Sequence, residues 1–93
     1  MTVQFFAYLR DPEFAGCKEM SWPQAPTLRA LGEELCEKFG ARFQGEFFAP
    51  GGAALGERVI VMVNGRRVEF LDGLDTPQKE SDTVLIFPVV AGG

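Results

Sequence analysis

The chain has 93 residues, of which 46% are hydrophobic and 24% charged, as expected for one small folded domain. It contains no histidine, which excludes Ser–His and Cys–His nucleophile pairs and histidine-containing zinc sites. The net charge of −4 argues against a nucleic-acid partner. No apolar run reaches the roughly 18 residues of a membrane span. These properties also argue against an enzyme that acts alone.

The two cysteines, Cys17 and Cys36, are too few and too far apart in sequence for a zinc cluster. The chain does not begin with the pattern of a secretion signal, so we expect a cytoplasmic protein in which both cysteines are thiols. A thiol needs nearby positive charge to become a good nucleophile, and Cys36 is followed by Glu37. We therefore expect no sulfur relay through the cysteines, no metal site and no cofactor bound by the chain itself.

Strand and helix patterns follow one another in the first half of the chain. Alternating apolar side chains over residues 2–9 predict the first strand, and residues 18–22 predict a short second strand. After the helix-capping residue Thr27, apolar residues recur at three- and four-residue steps and predict the main helix over residues 28–39. Gly40 suits the C-terminal cap of that helix.

The second half predicts three more strands. The continuous apolar run Val59–Val63 predicts a buried strand, and Asn64-Gly65 predicts a two-residue hairpin turn into a strand over residues 66–70. A long connection then leads to the last strand, Thr83–Pro88. Residues 41–58 show no clear period, and no element is predicted there. Three phenylalanines are expected to attach this segment to the core: Phe43, Phe47 and Phe48.

This order of elements predicts an α+β fold: a mixed sheet of four to five strands with one main helix packed on one face. The folded domain is expected over residues 1–88, followed by a tail of residues 89–93. The helix should cover one side of the two terminal strands, which comprises Val3, Phe5, Val84 and Ile86. The other side comprises Phe6, Tyr8, Leu85 and Phe87. If the terminal strands are neighbours, these four side chains form one apolar patch, which favours a binding surface.

The tail, residues 89–93, ends in two glycines, Gly92 and Gly93. Five extended residues span about 16 Å, and a tip without side chains can pass through a narrow channel in another protein. A carboxylate at neutral pH is a poor electrophile until it is activated, usually with ATP. The chain has no GxxxxGK loop for ATP, so a separate enzyme would have to make the acyl-adenylate. A sulfur or amine nucleophile could then attack it.

Four segments together resemble one known family. They are Phe5-Phe6-Ala7, Val63-Asn64-Gly65, the stretch LDGLDTP at residues 71–77 and the stretch IFPVVAGG at residues 86–93. On these motifs the chain resembles the ubiquitin-like sulfur carriers of the MoaD/ThiS family, above all the small subunits of molybdopterin synthase and their archaeal modifier relatives. The resemblance covers nearly the whole chain and is weakest over residues 41–58.

The resemblance implies a β-grasp fold and a carrier that is a protein co-substrate, not an enzyme by itself. It implies that an E1-like adenylyltransferase of the MoeB/ThiF type uses ATP to adenylate Gly93. A sulfurtransferase or cysteine desulfurase then supplies sulfur, and Gly93 becomes a thiocarboxylate. The thiocarboxylate donates its sulfur inside the large molybdopterin synthase subunit of the MoaE type. That step builds the dithiolene of the molybdenum or tungsten cofactor.

The same resemblance assigns roles to residues near the tail. Gly93 bears the sulfur, and Gly92 passes through the partner's channel. The partner-binding residues expected from the resemblance and from the uncovered patch are Phe6, Leu85, Phe87, Pro88, Val89, Val90 and Ala91. Three positions depart from the family: Val89 stands where a second proline is common, Gln78 where leucine is frequent, and Ser81 where glycine is frequent.

Three alternatives use the same residues differently. A ubiquitin-like modifier would be joined through Gly93 to lysines of target proteins, because an acyl-adenylate can pass to an amine as well as to sulfur. A sulfur carrier for another pathway, such as thiamin synthesis, would use the same terminus. The third alternative is a β-grasp interaction domain with an inert tail.

Overall fold

Residues 1–89 are described by the computed structural model. In this range the strands are β1 (Thr2–Phe5), β2 (Glu19–Ser21), β3 (Val59–Val63), β4 (Arg66–Arg67) and β5 (Thr83–Pro88), and the helices are α1 (Leu28–Phe39) and α2 (Ala41–Phe47). Short 3₁₀ turns lie at Ala7–Arg10, Val68–Phe70 and Gly73–Asp75. No helix in this part of the chain is long and apolar enough to cross a membrane.

The strands form one mixed sheet in the order β2-β1-β5-β3-β4. β5 is central: it runs parallel to β1, with Phe5 beside Ile86, and antiparallel to β3, with Val61 beside Ile86. The predicted α+β fold is therefore confirmed, and the terminal strands are neighbours, which is the condition under which the sequence predicts one apolar patch. The second predicted strand forms as β2, one residue shorter at each end. Because β1 and β5 are parallel, their C-terminal ends lie at the same edge of the sheet.

α1 has the predicted bounds and the predicted caps. The hydroxyl oxygen of Thr27 accepts a hydrogen bond from the Ala30 N–H at 3.2 Å. At the other end Gly40 has a φ of +97°, which favours glycine, and its N–H donates to the Cys36 carbonyl at 2.8 Å. The helix and the sheet share one core, whose fully buried members (0% exposed) include Leu28, Leu31, Leu35, Val3, Phe5, Val61, Val84 and Ile86. The helix thus covers the side of the terminal strands that the sequence predicts.

Residues 41–58, for which the sequence predicts no element, contain the helix α2. Phe43, Phe47 and Phe48 are buried, which confirms that they attach this segment to the core. α2 has only seven residues, too few for a helical period to stand out. Its packing on α1 depends on Gly32, because a Cβ at that position would overlap the buried Phe47 ring.

The first strand, predicted over residues 2–9, is wrong beyond Phe5. Ala7 has a φ of +52°, and the chain enters the 3₁₀ turn Ala7–Arg10. This turn places the side chain of Leu9 in the core. Apolar residues spaced for a strand also suit a buried turn of this kind, so alternation alone does not distinguish the two.

The strand predicted over residues 66–70 is also shorter than expected. The Asn64-Gly65 turn forms as predicted, and both residues have positive φ. Pairing with β3 ends after Arg67, because Val68 turns inward and is fully buried. Phe70, at the end of the following 3₁₀ turn, is left 81% exposed.

Candidate functional site

The face of the sheet opposite α1 carries an apolar cluster. Side chains alternate along a strand, so the residues next to the buried positions of β1, β3 and β5 point to this face. The rings of Phe6 and Phe87 stack with centroids 4.2 Å apart and an interplanar angle of 13°. In the sheet register Ile60 lies opposite Phe87, and Met62 lies opposite Leu85. These five half-buried residues are called the open-face patch below.

The structure brings together three of the four side chains that the sequence places on this face, namely Phe6, Leu85 and Phe87. The placement of Tyr8 there is wrong, because the chain leaves the strand before it. Tyr8 instead packs beside Phe14, and its hydroxyl donates a hydrogen bond to the Glu46 carboxylate at 3.3 Å. Burial, followed by the nearby Glu46 charge, raises the pKa of Tyr8.

Ile60 and Met62 belong to the patch although the sequence pattern does not indicate it. Their strand is a continuous apolar run, which predicts burial on both faces, yet only its alternate residues Val59, Val61 and Val63 are buried. The number of long helices predicted by the sequence is the signal that could have placed Ile60 and Met62 on the open face. One long helix covers one face of a sheet, so alternate residues of each strand must remain outside it.

Arg10 gives the patch a positively charged border, a role that the sequence does not indicate. Its guanidinium carbon lies 5.2 Å from the centroid of the Phe6 ring. Its Nε donates a hydrogen bond to the Phe5 carbonyl at 2.7 Å, which fixes the side chain in this position. A cation over an aromatic face is attracted by the ring. A partner that covers Phe6 must therefore also accommodate the Arg10 charge.

The tail begins at the edge where the open-face patch ends. Pro88 is the last residue of β5, and its side chain is buried, so it adds little surface for a partner. Val89 is exposed, and its N–H donates to the Arg58 carbonyl at 2.7 Å. The backbone is thus held to the segment before β3 as far as Val89. The remaining predicted site residues, Val90, Ala91, Gly92 and Gly93, lie outside the described residues.

The two cysteines are free thiols, as predicted. Burial of Cys36, with a smaller contribution from Glu33, raises the pKa of its thiol to about 11. The sequence attributes the unfavourable charge to Glu37, whereas the structure assigns it to Glu33. A thiol that stays protonated at neutral pH is a poor nucleophile, so Cys36 is unsuited to relaying sulfur. Cys17 is half-buried against the core.

Asp82, an acidic residue near the hairpin, serves the fold. The buried Asp82 carboxylate accepts hydrogen bonds from the Asn64 side-chain amide and from the Lys79 N–H, each at 2.8 Å. The Asn64 side-chain oxygen in turn accepts from the Thr83 N–H at 2.9 Å, which ties the hairpin to β5. Among residues 1–89, no group of three His, Cys, Asp or Glu side chains could hold a metal ion.

The chain is similar to known proteins over its whole length. Residues 3–93 match the model of the ThiS family. Small archaeal modifier protein 3 of Haloferax volcanii is 32% identical over 99 residues, covering 100% of this chain and 98% of that protein. The solution structure of small archaeal modifier protein 1 from Methanosarcina acetivorans has a TM-score of 0.82 and 28% identity, covering 99% of this chain and 94% of that one. A proposed molybdopterin converting factor subunit 1 from Pyrococcus furiosus has a TM-score of 0.63 and 30% identity, covering 96% and 95%.

Proposed function

Because this chain belongs to the ThiS family of ubiquitin-like sulfur carriers with a β-grasp fold, we propose that it carries sulfur as a thiocarboxylate on Gly93. The observation that carries this proposal is the family match, which extends from residue 3 through Gly92 and Gly93. The fold agrees with this role, since the strand that leads to these glycines is the central strand of the sheet. A rigid strand next to the tail limits the conformations from which the tail must find its partner.

The proposed chemistry needs an activated carboxylate and a sulfur donor. An E1-like enzyme transfers AMP from ATP to the Gly93 carboxylate and releases pyrophosphate. A persulfide then attacks the carbonyl carbon and displaces AMP, and a thiol reduces the acyl disulfide to the thiocarboxylate. The chain's contribution is access to the carbonyl carbon, because neither Gly93 nor the preceding Gly92 has a Cβ that would obstruct the nucleophile.

We assign recognition of the protein partners to the open-face patch. It contains a stacked pair of aromatic rings among aliphatic side chains, and binding hot spots are enriched in aromatic residues. Leu85 and Phe87 lie on β5, so a partner that binds them receives the tail in a fixed direction. Arg10 adds a charge that an acidic group of the partner would neutralise.

For the sulfur acceptor, we propose the pterin precursor of the molybdenum or tungsten cofactor, with this chain as the small subunit of molybdopterin synthase. The similarity to the Pyrococcus furiosus subunit supports this assignment, as do the motifs at residues 71–77 and 86–93. In this assignment the large subunit holds the pterin. The thiocarboxylate is consumed, and Gly93 returns to a carboxylate.

A second function is favoured by a different observation, the full-length similarity to small archaeal modifier protein 3. As a modifier, the chain would transfer the acyl group of Gly93 from AMP to a lysine amine of a target protein. This step releases AMP and forms an isopeptide bond through Gly93. The same open-face patch would bind the activating enzyme in both cases. The two functions therefore differ only at the acceptor.

Intact mass spectrometry of the chain, co-expressed with the E1-like enzyme of its own source, tests the carrier function. We expect a mass gain equal to the replacement of one oxygen by sulfur, and its loss when Gly93 is deleted. Circular dichroism of the deleted chain controls for folding. An unchanged mass, with the activating enzyme shown competent on another carrier, contradicts the carrier function. Peptides ending in Gly93 on lysines of other proteins would identify the modifier.

A further inference from the structure

A second surface, which shares only Ile60 with the open-face patch, lies at the edge of β3. β3 has five residues, but β4 pairs with only two of them, Met62 and Val63. The pairing stops there because the chain turns inward at the buried Val68. On the side away from β5, residues 59–61 therefore have no strand partner within the described part of the chain.

A cleft of about 740 Å³ opens along this unpaired edge. Ile60 and Arg67 line it from the open face, and Val59 and Leu74 line it from the buried side of the sheet. Residues from both faces can line one cavity only where no strand separates them. The cleft therefore reaches the backbone edge of β3.

The charges around this cleft are unevenly paired. Arg67 donates to the Glu69 carboxylate at 2.9 Å, and Arg29 donates to a backbone carbonyl at 2.7 Å. Glu57 and Asp75 are exposed at the cleft and form no salt bridge with any of residues 1–89. Arg29 keeps its positive charge, so the five charged side chains that line the cleft sum to −1, and the two carboxylates without a salt bridge are available to basic side chains of a partner.

We propose that this cleft binds an extended peptide segment of a protein partner, which adds as a strand to the β3 edge and alternates apolar with basic side chains. In strand addition, main-chain hydrogen bonds give affinity and alternate side chains give specificity. The apolar side chains enter the cleft, and the basic ones meet Glu57 and Asp75. The Val59 N–H already donates to the Gly56 carbonyl at 3.3 Å. The added strand therefore pairs with the backbone groups of β3 that come after this N–H.

The composition of the edge supports this occupant. Free edges in natural proteins commonly carry lysine, proline or a bulge, which prevents pairing with other chains. Residues 59–61 are Val-Ile-Val, without charge or proline, so they remain able to pair. Val89 also lines the cleft, which places a bound segment beside the start of the tail. The proposal goes beyond sulfur carrying, because peptide binding requires neither Gly93 nor ATP.

The test uses synthetic peptides and the full chain labelled with ¹⁵N. The probe is a terminally blocked peptide of alternating lysine and valine, and we expect saturable amide shifts at residues 59–61 and around Leu74. A peptide of alternating glutamate and valine should bind at least about tenfold more weakly, because its charges repel the acidic rim. A lysine–valine peptide with N-methylated backbone should not bind, because it lacks the main-chain donors for strand pairing.

Charge variants of the chain locate the site. Glu57→Lys combined with Asp75→Lys should weaken binding of the lysine–valine peptide about tenfold. The matched control combines Glu37→Lys with Glu80→Lys, two exposed positions outside the cleft that change the net charge equally. This control should change the affinity less than about threefold, because salt screens distant charges.

Phe87→Ala changes the open-face patch and should bind the peptide like the wild type. A failure of this proposal is therefore distinguishable from a failure of the sulfur-carrier function. Shifts confined to the patch residues outside the cleft, Phe6, Met62, Leu85 and Phe87, would overturn the proposal. Equal binding of the N-methylated peptide, unchanged affinity in the Glu57 and Asp75 double variant, or no saturable shifts would overturn it as well.

Discussion

The two faces of β5 carry similar side chains in different surroundings. Val84 and Ile86 point to α1 and are fully buried, whereas the alternate residues Leu85 and Phe87 lie half-buried in the open-face patch. Hydrophobicity alone therefore does not identify the core of this protein. The position of a residue relative to the helix does, because the helix covers one face only. We expect changes on the covered face to act on stability and changes on the open face to act on partner binding.

The largest effect is expected from Ile86→Ala, which removes buried atoms from the covered face. We expect the free energy of unfolding to fall by about 2–5 kcal/mol in urea denaturation, and Ile86→Val to lose about 0.5–1.5 kcal/mol. Its neighbour Leu85 is the matched comparison on the open face. Leu85→Ala should lose only about 1 kcal/mol, because the side chain is half-exposed already. If Leu85→Ala loses as much as Ile86→Ala, the open face is part of the core and the comparison fails.

The next effect concerns binding. Phe87→Ala removes one ring of the stacked pair and should weaken binding of the E1-like enzyme about tenfold to a hundredfold, as measured by calorimetry. The free energy of unfolding should fall much less than in Ile86→Ala, with about 0.5–1.5 kcal/mol from the lost ring pair. Phe70→Ala is the control, since Phe70 is exposed but lies outside the patch. If Phe70→Ala weakens binding of the E1-like enzyme equally, the interface lies at the β4 edge and not at the open-face patch.

A smaller effect is expected from Gln78, a polar side chain in the interior. It is 4% exposed, its side-chain oxygen has no hydrogen-bond partner, and its amide donates only weakly, to the Pro77 carbonyl at 3.5 Å. Gln78→Leu removes this unsatisfied group and should raise the free energy of unfolding by about 1 kcal/mol. Gln44→Leu, at an exposed position of α2, should change it little. A destabilised Gln78→Leu would show that the amide is satisfied in solution, for example by a buried water.

The effect that is smallest at neutral pH comes from Cys36, whose buried thiol changes the stability only at alkaline pH. The folded chain holds the pKa of this thiol at about 11, above its ordinary value, mainly through burial. As the pH rises past the ordinary thiol pKa, the unfolded chain loses its proton first, so the stability of the fold falls until about pH 11. Cys36→Ala should lose this part of the pH dependence, and Cys17→Ala should keep it. Identical pH profiles for the wild type and Cys36→Ala would contradict the burial of the thiol.

Much of the fold follows from short stretches of sequence. Thr27 and Gly40 bound α1 as predicted, because capping depends on residues within one turn. The Asn64-Gly65 turn also forms as predicted, because positive φ is a local property. The family resemblance, drawn from four short motifs, agrees with the match over residues 3–93.

The errors occur where distant packing decides the local conformation. Leu9 and Val68 each leave a predicted strand because the core accepts their side chains from a 3₁₀ turn. Ile60 and Met62 are assigned to the interior by their apolar run and lie on the open face because the only long helix within residues 1–89 is on the other side. No local pattern distinguishes these cases, since a buried turn and a strand can share the same hydrophobic spacing.

The sequence by itself determined the helix α1 and the hairpin turn, because each depends on adjacent residues, and the α+β class, because the order of the elements follows directly from the sequence. Only the tertiary structure decided which apolar residues form the core and which form the open-face patch. It also decided where β4 stops and hence that the β3 edge opens into a cleft. These features depend on contacts between segments far apart in the chain, and those contacts exist only once the sheet and helix have packed.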